Sequence, residues 1–129
     1  MSVNPMANRK NRAHRILVVD DELLIREIIK RALVFDGHSV QTAASGREAL
    51  ALFEEDKFDL VVLDYEMPDM RGDELAMLIK ALAPNQSIAM VTGYREVLVG
   101  SLADVDLIVS KPFNPQELRT ATNRIFAGA

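Results

Sequence analysis

From Ile16 onward, short apolar runs alternate with longer stretches in which apolar residues return every three or four positions. The run ILVV (16–19) has the length and β-branched content of a strand. In ELLIREIIKRALVFDG after it, Ile25, Ile28, Ile29, Ala32 and Leu33 fall at helical spacing, and Gly37 suits the helix's C-terminal cap. SVQTA (39–43) is a weaker strand. In SGREALALFEEDK, Ser45 is the N-cap, Glu48 follows three residues on, and Ala49, Leu50 and Phe53 share one face. FDLVVL (58–63) is a third strand. It leads to a helix predicted from Asp73, with Leu75, Leu78, Ile79 and Leu82 inward and Pro84-Asn85 as its end. SIAMV (87–91) and VDLIV (105–109) are the fourth and fifth strands, and a last helix begins at Asn114 or Pro115 and runs through Leu118, Ala121 and Ile125. Between Val91 and Val105 stands only TGYREVLVGSLAD, room for a short helix interrupted by Gly100. The stripe LLIREIIKRAL and the later methionines are predicted as core at helical spacing rather than as a cofactor pocket.

Strands alternating with helices predict an α/β fold, with right-handed crossovers and a parallel sheet covered on both faces. The polar residues at the strand ends then acquire a common location. In VVLDYEMPDMRG (61–72) a buried-looking strand ends on Asp64, where a carboxylate is costly unless its charge is used. The first strand ends in Asp20-Asp21, the fourth in Thr92 and the fifth at Ser110-Lys111. Ligands of an open parallel sheet bind beyond the carboxyl ends of its strands, so these side chains are predicted to meet along one edge. Three carboxylates converging there repel one another unless a cation joins them. Hard oxygen ligands with room for water suit Mg²⁺. Lys111 adds a second positive charge and Thr92 a hydroxyl donor, a set able to bind several anionic oxygens such as those of a phosphoryl group.

Composition narrows the setting. A chain of 129 residues, 49% apolar and 26% charged, fits one soluble domain with its own core. No apolar run approaches the roughly 20 residues that span a bilayer, and no secretory signal opens the chain, so a cytoplasmic protein is expected. The absence of cysteine excludes disulfides, thiolate metal sites and a Cys nucleophile. The net charge of −4, from 15 basic and 19 acidic residues, is unevenly spread. Arg9, Lys10, Arg12 and Arg15 lie in the first fifteen residues without an acid, which leaves 11 basic against 19 acidic residues, or −8, in the remainder. Four scattered cations without aromatics predict a solvated, disordered leader over residues 1–14 rather than a nucleic-acid arm, and the acidic remainder argues against a DNA-binding surface.

ILVVDDE, VVLDYEMPDMRGDEL, MVTGY and VSKPF, in this order and spacing, resemble the receiver domain of two-component response regulators over about residues 16–127. The ordered set is specific, although each motif alone is modest. The resemblance implies a doubly wound, flavodoxin-like (βα)5 three-layer sandwich, with a parallel five-stranded sheet of order 2-1-3-4-5 in a receiver domain over residues 15–129. It implies that Asp64 accepts a phosphoryl group from a phosphohistidine, on a sensor histidine kinase or a histidine phosphotransfer protein. Mg²⁺, or Mn²⁺ in its place, would be held by Asp21, Asp64 and the backbone carbonyl of Glu66, with Asp20 acting mainly through water. Thr92 and Lys111 would each bind a phosphoryl oxygen. Met67-Pro68 and Gly72 would shape the loop behind Asp64, and Pro112 would set the turn after Lys111, through a cis bond. Such a protein is no enzyme beyond its own phosphoryl transfer and dephosphorylation. It signals to a downstream protein as a monomer or weak dimer, without nucleic acid or membrane. With no residues left for an output domain after the last helix, a stand-alone receiver, or one cut from a larger chain, is expected.

Each residue also has a plainer reading. Asp20 could cap the first helix, Asp64 could open a turn before Pro68, Thr92 could be a strand-end hydroxyl and Lys111 a solvated lysine; only their convergence favours a site. His14 and His38, in the leader and in the turn after the first helix, are not site candidates. Two rivals fit less well. Phosphatases of the haloacid dehalogenase superfamily space two aspartates one residue apart, whereas Asp20 and Asp21 are adjacent. A nucleotide- or flavin-binding domain needs a glycine-rich loop where this chain has VVDDELL. A receiver fold docking without phosphorylation is the remaining alternative. The chain departs from the family at Ile108, where many receivers carry Phe or Tyr, and in the short segment before the fifth strand. Glu66 and Tyr94, two residues beyond Asp64 and Thr92, stand where receivers vary and tune phosphoryl lifetime, as the resemblance implies.

Overall fold

A computed structural model describes residues 13–93 and 104–128. Five strands, β1 (Arg15–Val19), β2 (Ser39–Ala43), β3 (Leu60–Asp64), β4 (Ile88–Thr92) and β5 (Leu107–Ser110), form one parallel sheet of order β2-β1-β3-β4-β5. Four helices lie among the described residues: α1 (Leu23–Phe35), α2 (Gly46–Glu55), α3 (Gly72–Leu82) and α4 (Pro115–Ala127). The expected order 2-1-3-4-5 and the doubly wound class are both observed. The short helix anticipated before β5 falls largely on residues 94–103, outside the described residues, as does Tyr94.

Side-chain alternation divides the core between the two faces. Leu17, Val19, Val61, Leu63, Ile88 and Met90 pack against Ala49 of α2 and Leu75, Ala76 and Ile79 of α3. Ile16, Val18, Leu60, Val62, Ala89 and Val91 face Ile29, Ala32 and Leu33 of α1 and Leu118 of α4. The central strands β3 and β4 are buried at every residue, so their sequences run apolar without alternation. Edge strand β2 is half-exposed, which is why SVQTA reads weakly.

Local signals act where the sequence places them. Ser45 Oγ accepts the Glu48 N–H at 3.1 Å, and Glu48 reaches back to the Ala44 N–H at 3.0 Å. Gly37, at φ +92, ends α1 in a Schellman arrangement: its N–H bonds Val34 O and that of His38 bonds Leu33 O. Asn114 Oδ1 accepts the Glu117 N–H, with Pro115 at the first helical position.

Several inward assignments are corrected. Leu78 and Leu82 of α3 are exposed, as is Met77, one of the methionines expected in the core. The buried stripe is Leu75, Ala76 and Ile79. Leu78 lies about 100° round the helix from its centre, and Leu82 sits on its margin in the last turn. Ile28, at the spacing of the α1 stripe, and Leu23 and Leu24, which open the stretch LLIREIIKRAL predicted as core, are likewise exposed. Finally, the backbone carbonyl of His14, a residue allotted to the leader, accepts the Ser39 N–H at 2.9 Å, and its ring stacks on Phe126 at 3.7 Å.

Candidate functional site

Because all five strands run parallel, their carboxyl ends share one edge. Asp20 directly follows β1, Asp64 and Thr92 are the last residues of β3 and β4, and Lys111 directly follows β5. The register aligns Asp64 with Val91 and Thr92 with Ser110, and the Lys111 N–H closes onto Thr92 O at 2.8 Å. The sequence-predicted residues therefore converge. Asp20, Asp64 and Thr92 are only 1%, 4% and 2% exposed, while Asp21 and Glu66 face solvent.

One oxygen from each of Asp20, Asp21 and Asp64 lies within 4.8 Å of the others. Lys111 Nζ donates to Asp64 Oδ1 at 2.9 Å and stands 4.0 Å from Asp20 Oδ2. Asp20 Oδ1 accepts the N–H of Glu22, the residue before α1 rather than one of its first turn, at 2.9 Å, so it does not cap the helix, and its Oδ2 is buried with no hydrogen-bond partner. Burial, with the charges of Asp64 and Asp21 adding to it, pushes the Asp20 carboxyl up to about 6 against the opposing Glu22 N–H and Lys111. Burial raises Asp64 as well, against its bond from Lys111. Burial works against the Lys111 ammonium, yet its bond to Asp64 and the nearby carboxylates raise it above the ordinary lysine value.

This donor set fits a small divalent cation. A buried carboxylate oxygen without a hydrogen-bond partner, two further carboxylates beside it and an exposed Asp21 that leaves room for water match the hard oxygen ligands of Mg²⁺. The loop behind Asp64 is built for close approach. The Gly72 N–H bonds Tyr65 O at 2.7 Å, and a Cβ on Gly72 would stand 2.6 Å from Asp64 O. The Lys111–Pro112 bond is cis, as the resemblance implied.

Two contributors escaped the sequence. Arg26 Nη1 holds the Asp20 carbonyl at 2.9 Å, and the Asp69 carboxylate takes the N–H groups of Gly46 and Arg47. Both are exposed or half-exposed charges acting on backbone atoms of other segments, which spacing does not reveal. Ile108 is half-buried opposite Met90 and packs against the α2–α3 side of the core. His14 and His38 directly precede β1 and β2, at the opposite end of the sheet.

The chain belongs to the response regulator receiver domain family, whose pattern it matches over residues 16–123. Receiver domains are signalling components of two-component systems rather than enzymes in the usual sense, and they act between histidine kinases and downstream effectors. The response regulator MprA of Mycolicibacterium vanbaalenii is 40% identical over 107 residues, covering 81% of this chain and 46% of that protein. The chain spans about half the length of the curated relatives it matches. Chemotaxis response regulator CheY4 of Vibrio cholerae superposes with a TM-score of 0.81 at 33% identity, over 86% of this chain and 97% of that one. Response regulator TrrA of Thermotoga maritima, solved in complex with Mg²⁺-BeF, gives 0.79 at 39% identity, again over 86% and 97%. Among the described residues, no helix is long and apolar enough to cross a membrane.

Proposed function

We propose that the protein accepts a phosphoryl group on Asp64 from a phosphohistidine of a sensor kinase or phosphotransfer protein, and signals in the cytoplasm through protein contacts. The observation that carries this reading is the Asp64–Lys111 pair at 2.9 Å inside a cluster of three converging carboxylates. The transfer requires positioning and charge neutralisation more than covalent chemistry by the protein. A carboxylate oxygen of Asp64 attacks phosphorus in line, a P–O bond forms, the P–N bond to the imidazole breaks, and the donor histidine leaves. Burial strips water from the nucleophile and leaves its charge answered by Lys111, which is placed to pair with a phosphoryl oxygen as charge moves onto that group. Thr92, next to Lys111 through the backbone bond, presents its hydroxyl to another oxygen. Asp20, Asp21, Asp64 and the Glu66 carbonyl would hold Mg²⁺ (or Mn²⁺), which when bound offsets the charge of the carboxylates and the phosphoryl oxygens.

An apolar groove lined by Ile25, Ile28, Pro112 and Phe113 opens beside Lys111 and supports docking of a protein donor there. It also gives the exposed Ile28 a use. A phosphorylation-independent docking module would have no need of the buried Asp64–Lys111 pair.

Intact-mass measurement after acetyl phosphate and Mg²⁺ tests the reading. Wild type is expected to gain one phosphate, and Asp64→Asn, or wild type in excess EDTA, none. Equal labelling of the mutant would remove Asp64 from its role.

A further inference from the structure

We propose that Asp69 is a positioning residue for the cation site, holding the loop that carries the Glu66 carbonyl in register with Asp20 and Asp64 by capping helix α2. The inference rests on the reading of those residues as the cation site. Asp69 belongs to the loop between Asp64 and Gly72, yet its carboxylate reaches across to another segment: Oδ1 accepts the Gly46 N–H at 3.1 Å and Oδ2 the Arg47 N–H at 3.0 Å. Ser45 Oγ takes the Glu48 N–H, so the first three N–H groups of α2 are divided between its own N-cap and a carboxylate from the candidate site.

The contact is specific in shape as well as charge. Met70 packs so closely on Gly46 that a Cβ there would stand 2.4 Å from Met70 Cγ. Burial opposes ionisation of Asp69, but the backbone N–H groups of Arg47 and Gly46, with those of Asp69 itself and Met70, together outweigh it and hold the carboxyl below its ordinary value. The junction it grips also supports the opposite wall of the site, because the Asp20 N–H bonds Ala43 O at 3.1 Å, three residues before Gly46. A continuous path therefore runs from Asp20 through Ala43 and the start of α2 to Asp69 and back along five residues to Asp64. Glu66 lies on that return path. Without the Asp69 carboxylate, Met67 and Gly72 still anchor the loop, and the tie left in its middle among the described residues is the apolar packing of Met70 on Gly46, which has no hydrogen bond to fix its register.

The test compares two caps of the same helix. Mg²⁺ is titrated into the folded protein, with binding read from the backbone amide NMR shifts of residues 64–67, for wild type, Asp69→Ala, Asp69→Asn and Ser45→Ala. Ser45→Ala weakens α2 without touching the Glu66 loop. Asp69→Ala is expected to bind Mg²⁺ about tenfold more weakly, at the low end of what losing an outer partner costs a metal site. Asp69→Asn, which keeps one acceptor oxygen, should fall between it and wild type, and Ser45→Ala should match wild type. Unchanged affinity in Asp69→Ala, or an equal loss in Ser45→Ala, overturns the proposal. Asp21→Asn separates the two claims: if it binds Mg²⁺ like wild type, the cation-site reading itself fails, whatever Asp69 does.

Discussion

Asp20 bears the largest electrostatic conflict at the candidate site. It is buried, Oδ2 lacks a hydrogen-bond partner, and two further carboxylates stand within ligand distance, so its ionised form is held at a cost that Lys111 at 4.0 Å only partly offsets. Asp20→Asn removes the charge and keeps an oxygen for the Glu22 N–H. In EDTA at neutral pH the variant is expected to be more stable than wild type by about 1–3 kcal/mol, the upper end being the cost of ionising a carboxyl held at about 6 rather than at its ordinary value. Its stabilisation by Mg²⁺ should shrink correspondingly, since a cation that binds only the native state stabilises by mass action. Denaturant melts with and without Mg²⁺ check both, and a variant less stable than wild type in EDTA would show that the charge is already well compensated. Sequence alone named Asp20, Asp21 and Asp64 as a convergent set. Only the burial pattern shows that Asp20 is enclosed while Asp21 faces solvent.

Between elements, the least anticipated contact joins β1, β2 and α4 at the end of the sheet away from the site. His38 is buried, its Nδ1 accepts the His14 backbone N–H at 3.1 Å, and both rings cluster with Phe126. An accepting Nδ1 places the proton of the neutral ring on Nε2, and protonation would set a second hydrogen against the His14 amide. Burial first, and the His14 ring second, lower the His38 pKa below 6.5, against the pull of Asp36 and Asp59. A histidine depressed in the folded state gives stability that is fully present above its unfolded value of 6.5 and lost as pH falls toward the folded value. Wild type should thus lose stability relative to His38→Leu between pH 7.5 and 5.5, by at most about 1.4 kcal/mol per pH unit. Parallel melts measure this, and an NMR titration that placed His38 at or above 6.5 would contradict it. Neither histidine was legible as a partner of the other, because 24 residues and a whole helix separate them. What could be read at this level was local: the Ser45 cap, the Gly37 stop and the uninterrupted strands. Helix facing was read less well, since Leu78, Leu82 and Ile28 satisfy the period without being covered.

At the scale of the whole molecule, the sequence carried the α/β class because each strand–helix unit declares its own period, while the strand order 2-1-3-4-5 came from the resemblance to receiver domains. It carried the positions of Asp20, Asp64, Thr92 and Lys111 because a parallel sheet turns the last residue of every strand toward the same edge. It did not carry the contacts that stiffen that edge, Arg26 on the Asp20 carbonyl and Asp69 on α2, which depend on distances between segments. All of these features serve one claim, that the buried carboxylate ending β3 is the nucleophile. The measurement that bears on it most directly is localisation of the phosphoryl group. Protein treated with acetyl phosphate and Mg²⁺ is reduced with borohydride, which converts an aspartyl phosphate to homoserine, then cleaved with trypsin and sequenced by mass spectrometry. The peptide from Phe58 to Arg71 contains Asp59, Asp64 and Asp69. Homoserine at position 64 alone is the predicted result, and homoserine at 59, 69, 20 or 21, with Asp64 intact, would contradict it.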